Sequence, residues 1–260
     1  MSDRILRALV TGASAGIGRS MAIELAERGV DLVLVARRDD RLTELAAALP
    51  GRIETLVADL GDPAGIARVA ARLRQTDDPV DLLVNNAGLG SYGALADQES
   101  AASQTMIDLN ISAVTALTHA ALEQLVPRGS GGVINVGSIA GLQPGPGGAV
   151  YGATKAYVHA FTEAVHAEVR DAGVHVMLLA PGITATEFHD RAGVDRDRLP
   201  GGAVMDADDV ARAALDAYAE QRVVCIPGAA NRIAAVGAKL APSAVSRRVA
   251  KLVHDRMQSS

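Results

Sequence analysis

The 260-residue chain has no tryptophan, one cysteine, and three lysines among its 25 basic residues. The single cysteine, Cys225, excludes an internal disulfide, and the apolar segment around it is typical of a buried strand. A reducing cytoplasm suits such a chain. No apolar run reaches the roughly 18 residues of a membrane-spanning helix, and the chain enters a strand directly after its start. We therefore expect neither a membrane span nor a signal peptide.

The charge balance excludes a further class of partner. The formal net charge of −5 provides no overall attraction to nucleic acid. Hydrophobic residues make up 49% of the chain, enough for a large core, and a charged fraction of 21% argues against disorder. The chain contains no low-complexity linker or short repeat, so we expect a single domain.

Apolar segments alternate with helical patterns from end to end. Several apolar segments are rich in Val, Ile and Leu without strict alternation, as expected for strands buried on both faces. The seven candidate strands are Ile5–Val10, Asp31–Ala36, Arg52–Val57, Val80–Asn85, Gly132–Gly137, His175–Ala180 and Val223–Ile226. Helical patterns lie near residues 17–28, 40–49, 63–74, 101–126, 151–171 and 206–220. This alternation predicts an α/β fold with a parallel sheet between two helical layers.

Two segments fall outside this alternation. Residues 183–205 are rich in glycine and proline near their end and have no clear period, which predicts a mobile loop over a substrate. The tail from Ala229 has apolar residues at helical spacing and is basic. It would either close a pocket, pack on another subunit or lie on a membrane surface. Its basic residues are Arg232, Lys239, Arg247, Arg248, Lys251 and Arg256.

A glycine-rich turn follows the first candidate strand. Thr11–Gly18 reads Thr-Gly-Ala-Ser-Ala-Gly-Ile-Gly and precedes an apolar helical pattern. Glycines let backbone N–H groups approach a phosphate, and the helix N-terminus adds partial positive charge. An ordinary strand-to-helix turn is the alternative, but the flanking strand and helix favour a dinucleotide phosphate site. The residues expected to form it are Gly12, Ser14, Gly16, Ile17 and Gly18.

The end of the second candidate strand bears on the choice of cofactor. In dinucleotide folds an acidic residue about 20 residues after the turn binds the ribose hydroxyls, whereas an arginine there suits a 2′-phosphate. Arg37 and Arg38 stand at that distance, directly after Ala36. We therefore expect NADP(H) rather than NAD(H). Asp39 and Asp40 keep NAD(H) open, because they could pair with the two arginines.

Tyr151 and Lys155 form the most informative pair in the chain. Residues four apart on a helix share a face, with Cβ atoms about 5–6 Å apart. A phenol normally titrates near pH ~10, and a neighbouring cation lowers that pKa. The pair therefore predicts an acid/base that works near neutral pH. A chance pair on a surface helix is the alternative, although lysine is scarce in this chain.

With Thr11–Gly18, Asn85–Gly88, Ser138 and Tyr151-x-x-x-Lys155 in this order, the chain resembles the short-chain dehydrogenase/reductase family. The resemblance implies a single doubly wound Rossmann-type domain with a parallel, seven-stranded sheet. We expect residues 1–228 to form the dinucleotide-binding and catalytic domain, with 183–205 as its substrate loop. Residues 229–260 would be a basic helical extension of that domain. The resemblance also implies a cytoplasmic homodimer or homotetramer.

The resemblance implies a role for each residue of the catalytic set. Tyr151 would be the acid/base, and Lys155 would lower its pKa and hold the nicotinamide ribose. Ser138 would hydrogen-bond the substrate oxygen, and Asn110 would support a water chain to Lys155. The implied reaction interconverts a carbonyl and an alcohol on a small molecule by hydride transfer with NADP(H). Two alternatives stay open: the same chemistry with NAD(H), and a non-catalytic NADP(H)-binding sensor or scaffold.

Further cofactor contacts follow from the same resemblance. Asp59 would contact the adenine, with Leu60 beside it, and no metal is expected. The floor under the cofactor would be Asn86, Ala87 and Gly88. The segment after the sixth strand would contribute Pro181, Gly182, Ile183, Thr184 and Thr186, with Ile183 and Thr186 at the carboxamide. Tyr92 either lines the pocket or lies on a surface loop.

Overall fold

The computed structural model describes residues 5–188 and 204–240, with backbone only for 238–240. Seven parallel strands form one sheet in the order β3-β2-β1-β4-β5-β6-β7. The prediction of a seven-stranded parallel sheet is confirmed. The strands are β1 Arg7–Thr11, β2 Asp31–Ala36, β3 Ile53–Val57, β4 Leu82–Asn85, β5 Gly132–Val136, β6 His175–Leu179 and β7 Val224–Cys225.

The helices cross between successive strands. They are α1 Gly16–Glu27, α2 Asp39–Ala48, α3 Pro63–Leu73, α4 Ser100–Ile107, α5 Val114–Arg128, α6 Ala149–Val169, α7 Ala207–Ala219 and α8 Ala229–Leu240. The helical pattern predicted near 101–126 is present as a helical stretch over 100–128, but this stretch is not one uninterrupted α-helix. A π-helical turn at Asp108–Ala113 separates α4 from α5. Hydrophobic spacing predicts only continued helix and does not distinguish such a turn.

Side chains of the central strands alternate between two cores. Ala8 and Val10 of β1 pack into the core beneath α1 and α7, whereas Leu9 packs into the opposite core beneath α3 and α5. All three residues are fully buried. This double burial explains why these strands are nearly continuous apolar runs. Among the helices of residues 5–188 and 204–240, none is long and apolar enough to cross a bilayer.

The strand order reverses at β1, which pairs with β2 on one side and β4 on the other. In open parallel sheets, the helices that leave such a point run to opposite faces and open a crevice at the carboxyl ends of the strands. The glycine-rich turn, Asn85–Gly88 and Ser138 all lie at or just after the ends of strands at this edge. The topology therefore brings three separate motifs to one crevice.

The predicted loop and tail are described only in part. Thr184 forms an isolated bridge with Met205, and the backbone of Met205 hydrogen-bonds to Ile183 and Ala185 at 2.9 Å each. The two ends of the segment 183–205 are thus tied together, and residues 189–203 lie outside the described part. The tail begins as α8, and residues 241–260 with four of its basic residues lie outside it too.

Candidate active site

Ser138 and Tyr151 meet where β5 ends and α6 begins. Ser138 lies two residues after the end of β5 in an extended conformation, and its hydroxyl accepts a hydrogen bond from the backbone N–H of Ala140 at 3.1 Å. The Ser138 hydroxyl also interacts with the Tyr151 phenol and acts to lower the pKa of that phenol. Both residues are buried. The sequence-predicted pair of hydroxyls therefore lies at one point, at the carboxyl edge of the sheet.

Lys155 lies one helical turn after Tyr151, on the same buried face of α6. Its ammonium donates a hydrogen bond to the Val136 carbonyl at 2.8 Å and lies 5.9 Å from the centre of the Tyr151 ring. Burial lowers the pKa of Lys155 to about 8. The cation therefore stands beside the phenol, as the spacing predicted, but it is directed at a backbone carbonyl.

The pKa of Tyr151 differs from the expectation. Burial raises this pKa above its ordinary value, the neighbouring Tyr92 adds to the rise, and the interaction with Ser138 opposes it. The predicted lowering by Lys155 is not found. Removal from water disfavours the phenolate more strongly than the surrounding groups favour it. The phenol is accordingly neutral at pH 7.

Asn110 lies in the π-helical turn and is fully buried. Its amide oxygen accepts from the Leu89 N–H at 2.9 Å, and its amide nitrogen donates to the Leu89 carbonyl at 2.8 Å and to the Thr154 hydroxyl at 3.0 Å. A Cβ placed on Gly88 would lie 3.2 Å from Asn110 Oδ1 and 3.5 Å from Lys155 Nζ. Asn110 therefore holds the segment after β4, which includes Gly88 and Leu89, close to Lys155.

The glycine-rich turn is too crowded for side chains. Gly12 and Gly16 have φ values of +67° and +54°, which favour glycine. A Cβ on Gly18 would overlap the Asn86 amide and lie 2.5 Å from the Gly12 carbonyl oxygen. The amide of Asn86 bonds the Thr11 carbonyl at 2.9 Å and so joins β4 to the turn. The result is a bare backbone cradle at the N-terminus of α1, which fits a phosphate group.

Arg37 and Arg38 lie beside this cradle. Arg37 pairs with Asp59 at 3.5 Å. Arg38 donates to the Ser14 hydroxyl from Nε at 3.3 Å and Nη2 at 3.0 Å, and from Nη1 to Glu187 at 3.1 Å. Neither arginine pairs with Asp39 or Asp40 within the described residues. The alternative in which these aspartates neutralise the arginines is therefore wrong here.

One cavity of about 450 Å³ connects the cradle with Ser138 and Tyr151. Gly18 and Asn110 stand behind its wall, packed against the turn and the Leu89 backbone respectively. Every other predicted site residue lines the cavity: Gly12, Ser14, Gly16, Ile17, Arg37, Arg38, Asp59, Leu60, Asn86, Ala87, Gly88, Ser138, Tyr151, Lys155, Pro181, Gly182, Ile183, Thr184 and Thr186. No cluster of three metal-ligating side chains occurs in residues 5–188 or 204–240.

Two aromatic rings bracket Tyr151. The centres of the Tyr92 and Phe188 rings lie 5.9 Å and 5.5 Å from the centre of the Tyr151 ring. A Cβ on Gly90 would lie 2.5 Å from the Phe188 ring, so Gly90 makes room for it. Tyr92 therefore lines the pocket while remaining 42% exposed. Phe188 was missed, although it is one of only two phenylalanines and follows Thr186 closely.

The sheet, the bare cradle and the Ser138, Tyr151 and Lys155 cluster define a nucleotide-dependent oxidoreductase: the chain belongs to the short-chain dehydrogenase/reductase family, whose model, described as short chain dehydrogenase, matches residues 7–197. It is 41% identical over 224 residues to sulfoacetaldehyde reductase 2 from Chromohalobacter salexigens, covering 81% of this chain and 86% of that one. It is 37% identical over 186 residues to an NADP-dependent 3-hydroxy acid dehydrogenase from Schizosaccharomyces pombe, covering 69% and 72%.

A solved structure agrees with this membership. A short-chain dehydrogenase from Sphingobium yanoikuyae in complex with NADPH superposes with a TM-score of 0.82 and 38% identity, covering 88% of this chain and 91% of that chain. The match extends over nearly the whole of both proteins. The oxidoreductase class and a nucleotide cofactor therefore rest on the sequence motifs, the fold and these relatives together.

Proposed function

We propose that the protein is an NADP(H)-dependent oxidoreductase that interconverts a carbonyl and an alcohol on an apolar substrate of small to medium size. The observation that carries the proposal is that Ser138, Tyr151 and Lys155 all line the cavity that begins at the phosphate cradle, with the Lys155 ammonium 5.9 Å from the centre of the Tyr151 ring. The NADPH in the Sphingobium structure and the name of the fission-yeast relative support the choice of cofactor.

Different groups of residues would hold different parts of the cofactor. The turn Gly12–Gly18 would hold the pyrophosphate, and Arg37 and Arg38 the 2′-phosphate. Asp59 would contact the adenine, and Lys155 the nicotinamide ribose. Ile183 and Thr186 would hold the carboxamide. The cofactor supplies the hydride, and the protein aligns it and supplies the proton.

Tyr151 would give its proton to the substrate oxygen during reduction. Its raised pKa keeps the phenol protonated at neutral pH, which is the state that a proton donor requires. Ser138 would donate a second hydrogen bond to the same oxygen, where negative charge develops. Lys155 would stabilise the phenolate left behind. The rings of Tyr92 and Phe188 beside the phenol favour a substrate with apolar groups next to its carbonyl.

Substitution of Tyr151 by Phe tests the catalytic part. It removes the hydroxyl and keeps the ring, so we expect turnover on a panel of aldehydes and ketones to fall at least about 10³-fold, with NADPH binding retained. Tyr157→Phe is the matched control, because its hydroxyl bonds Thr115 on the outside of α5 and α6. Turnover that survives in Tyr151→Phe, or no turnover in the wild type on any carbonyl, would support the non-catalytic sensor.

Titration with NADPH and with NADH tests the cofactor. The chain has no tryptophan, so the fluorescence of the reduced nicotinamide is the reporter. We expect tighter binding of NADPH and an Arg37→Ala variant that loses about tenfold or more in NADPH affinity while NADH binding changes little. Arg74→Ala is the control, because Arg74 pairs with Glu123 away from the cavity. Equal or tighter NADH binding by the wild type would overturn the choice of NADP(H).

A further inference from the structure

A carboxylate of the chain itself occupies the basic cluster beside the cradle. Glu187 Oε2 accepts a hydrogen bond from Arg38 Nη1 at 3.1 Å, and Glu187 Oε1 accepts one from Arg41 Nη1. Arg38 is held from its other side by Ser14 of the phosphate turn. The hydrogen bonds from Arg41 and Arg38 lower the pKa of Glu187 to about 2. The carboxylate is therefore ionised wherever the protein is folded at ordinary pH.

Glu187 belongs to the cofactor cavity and not to a distant surface. It lines the same cavity as Ser14, Arg37 and Arg38. The neighbouring residue, Thr186, lies so close to the phosphate turn that a Cβ on Gly16 would be 2.8 Å from its methyl group. The segment after β6 thus crosses the turn and delivers a negative charge to the adenosine end of the site.

A carboxylate and a phosphate bind a guanidinium with the same paired geometry. Two such anions on one arginine repel each other, because they carry like charges a few ångströms apart. We propose that Glu187 occupies the 2′-phosphate site of the free protein and that NADP(H) must take Arg38 and Arg41 from it. This proposal rests on the proposed use of NADP(H) and adds Arg41 to the residues that recognise the 2′-phosphate.

The exchange has a consequence at the other end of the cavity. Glu187 is followed by Phe188, whose ring centre lies 5.5 Å from that of Tyr151. A phosphate that displaces the Glu187 carboxylate therefore acts on the residue directly before the ring that lies beside the phenol. NADH has no 2′-phosphate and leaves the two ion pairs in place. Glu187 is therefore a positioning residue, through which the presence or absence of a 2′-phosphate affects the ring beside Tyr151.

The test is a fluorescence titration of wild type, Glu187→Gln and Glu123→Gln with NADPH and with NADH at low salt. Glu123 is the matched control, because it is 37% exposed against 39% for Glu187, pairs with Arg74 and His119, and has a lowered pKa. Removal of the internal competitor raises the fraction of free protein that is ready to bind. We expect Glu187→Gln to bind NADPH about three- to tenfold more tightly and NADH with less than about a twofold change, and Glu123→Gln to match wild type.

Thermal unfolding supplies a readout that a merely structural role would not move in this way. Glu187→Gln loses two ion pairs in the free protein, so its melting temperature without cofactor should not exceed that of the wild type. The rise caused by saturating NADPH should be larger in Glu187→Gln than in the wild type, because tighter binding stabilises the folded state further. A purely structural Glu187 would lower both melting temperatures alike.

Three results would overturn the proposal: weaker NADPH binding by Glu187→Gln, equal gains for NADPH and NADH, or no change for either. If the variant does not fold, Glu187→Asp replaces it, since the shorter carboxylate should give a smaller gain in the same direction. A wild type that prefers NADH, or binds neither cofactor, refutes the proposed function itself. A wild type that prefers NADPH, with Glu187→Gln unchanged, refutes only the role of Glu187.

Discussion

Tyr151 and Lys155 are ionisable groups in surroundings that favour their neutral forms. Burial raises the pKa of the phenol and lowers that of the ammonium to about 8. A cation next to the phenol under these conditions destabilises the folded protein, and the proposed reaction is the function that would require it there. The proposed function and stability therefore oppose each other at this lysine.

The stability cost of Lys155 has a definite pH dependence. Its pKa is 10.5 in the unfolded chain and about 8 in the folded one, so between these values the unfolded state binds more protons and stability rises with pH. Below about pH 8 Lys155 is protonated in both states, so the full cost of burying its charge is present. We expect the free energy of unfolding of the wild type, relative to that of Lys155→Met, to increase between pH 8 and pH 10.5.

Urea unfolding of both proteins at several pH values checks this expectation. The difference between the two proteins cancels the titration of the groups they share. Lys155→Arg is the control, because it keeps a positive charge that does not titrate in this pH range. A constant difference between wild type and Lys155→Met would contradict the burial argument.

At the scale of elements, the start of α1 is defined by contact with the strands and not by a capping side chain. Ala15 precedes the helix without a side-chain cap, and Gly18 of the first turn packs against the Gly12 carbonyl and the Asn86 amide. The glycine therefore sets how closely the helix N-terminus approaches β1 and β4. The N–H groups of that terminus are those that would meet the pyrophosphate.

Gly18→Ala should push the helix away from the strands. We expect a loss of about 1–3 kcal/mol in the free energy of unfolding from overpacking, together with weaker binding of NADPH and NADH by the same factor. The equal loss distinguishes the pyrophosphate site from Arg37, which affects NADPH alone. Gly237→Ala in α8 is the control, because a Cβ there meets nothing within 4 Å. Unequal losses of the two cofactors would contradict the assignment.

The π-helical turn is the element that sequence patterns could not predict. Asn110 within it bonds Leu89 in the loop after β4 and Thr154 in α6. These partners lie 21 and 44 residues away along the chain. A widened turn is stabilised by such tertiary bonds and is frequent at functional sites. Periodicity within the helix carries no information about them.

At the scale of the whole molecule, the two edges of the sheet have separate tasks. The carboxyl edge holds the cavity, and the amino edge holds a network of ion pairs. Arg7, at the start of β1, pairs with Asp31 and Asp78, and Arg72 pairs with Glu54 and Asp78. Both arginines are buried. Asp78 is thus the shared counter-ion of two buried guanidiniums far from the cofactor site.

Asp78→Asn should therefore lower stability without changing catalysis. A buried cation that loses a partner is costly, but Asp78 is a third exposed and each arginine keeps another carboxylate. We expect a loss of about 1–3 kcal/mol in the free energy of unfolding after allowance for solvent screening. Urea unfolding and kcat measure the two effects. Asp209→Asn, in an exposed pair with Arg212, is the control, and a lower kcat with unchanged stability would contradict the separation.

The predictions that the sequence supported best are those that rest on local patterns. The seven strands, the glycine-rich turn and the face shared by Tyr151 and Lys155 depend on spacing over a few residues, and the structure contains all of them. The oligomeric state, the domain bounds and the cytoplasmic location stay predictions. The membrane contact of the tail stays one as well, since residues 241–260 lie outside the described part.

The sequence by itself determined the order of elements, the parallel sheet and the family, because each follows from periodicity, glycine placement or motif order. The raised pKa of Tyr151, the bonds of Asn110 and the ring of Phe188 beside the phenol were decided only by the tertiary structure. Glu187 and Arg38 are 149 residues apart in the chain. Burial and contact between distant segments have no local signature, so the charge that faces the proposed 2′-phosphate site became visible only in the folded protein.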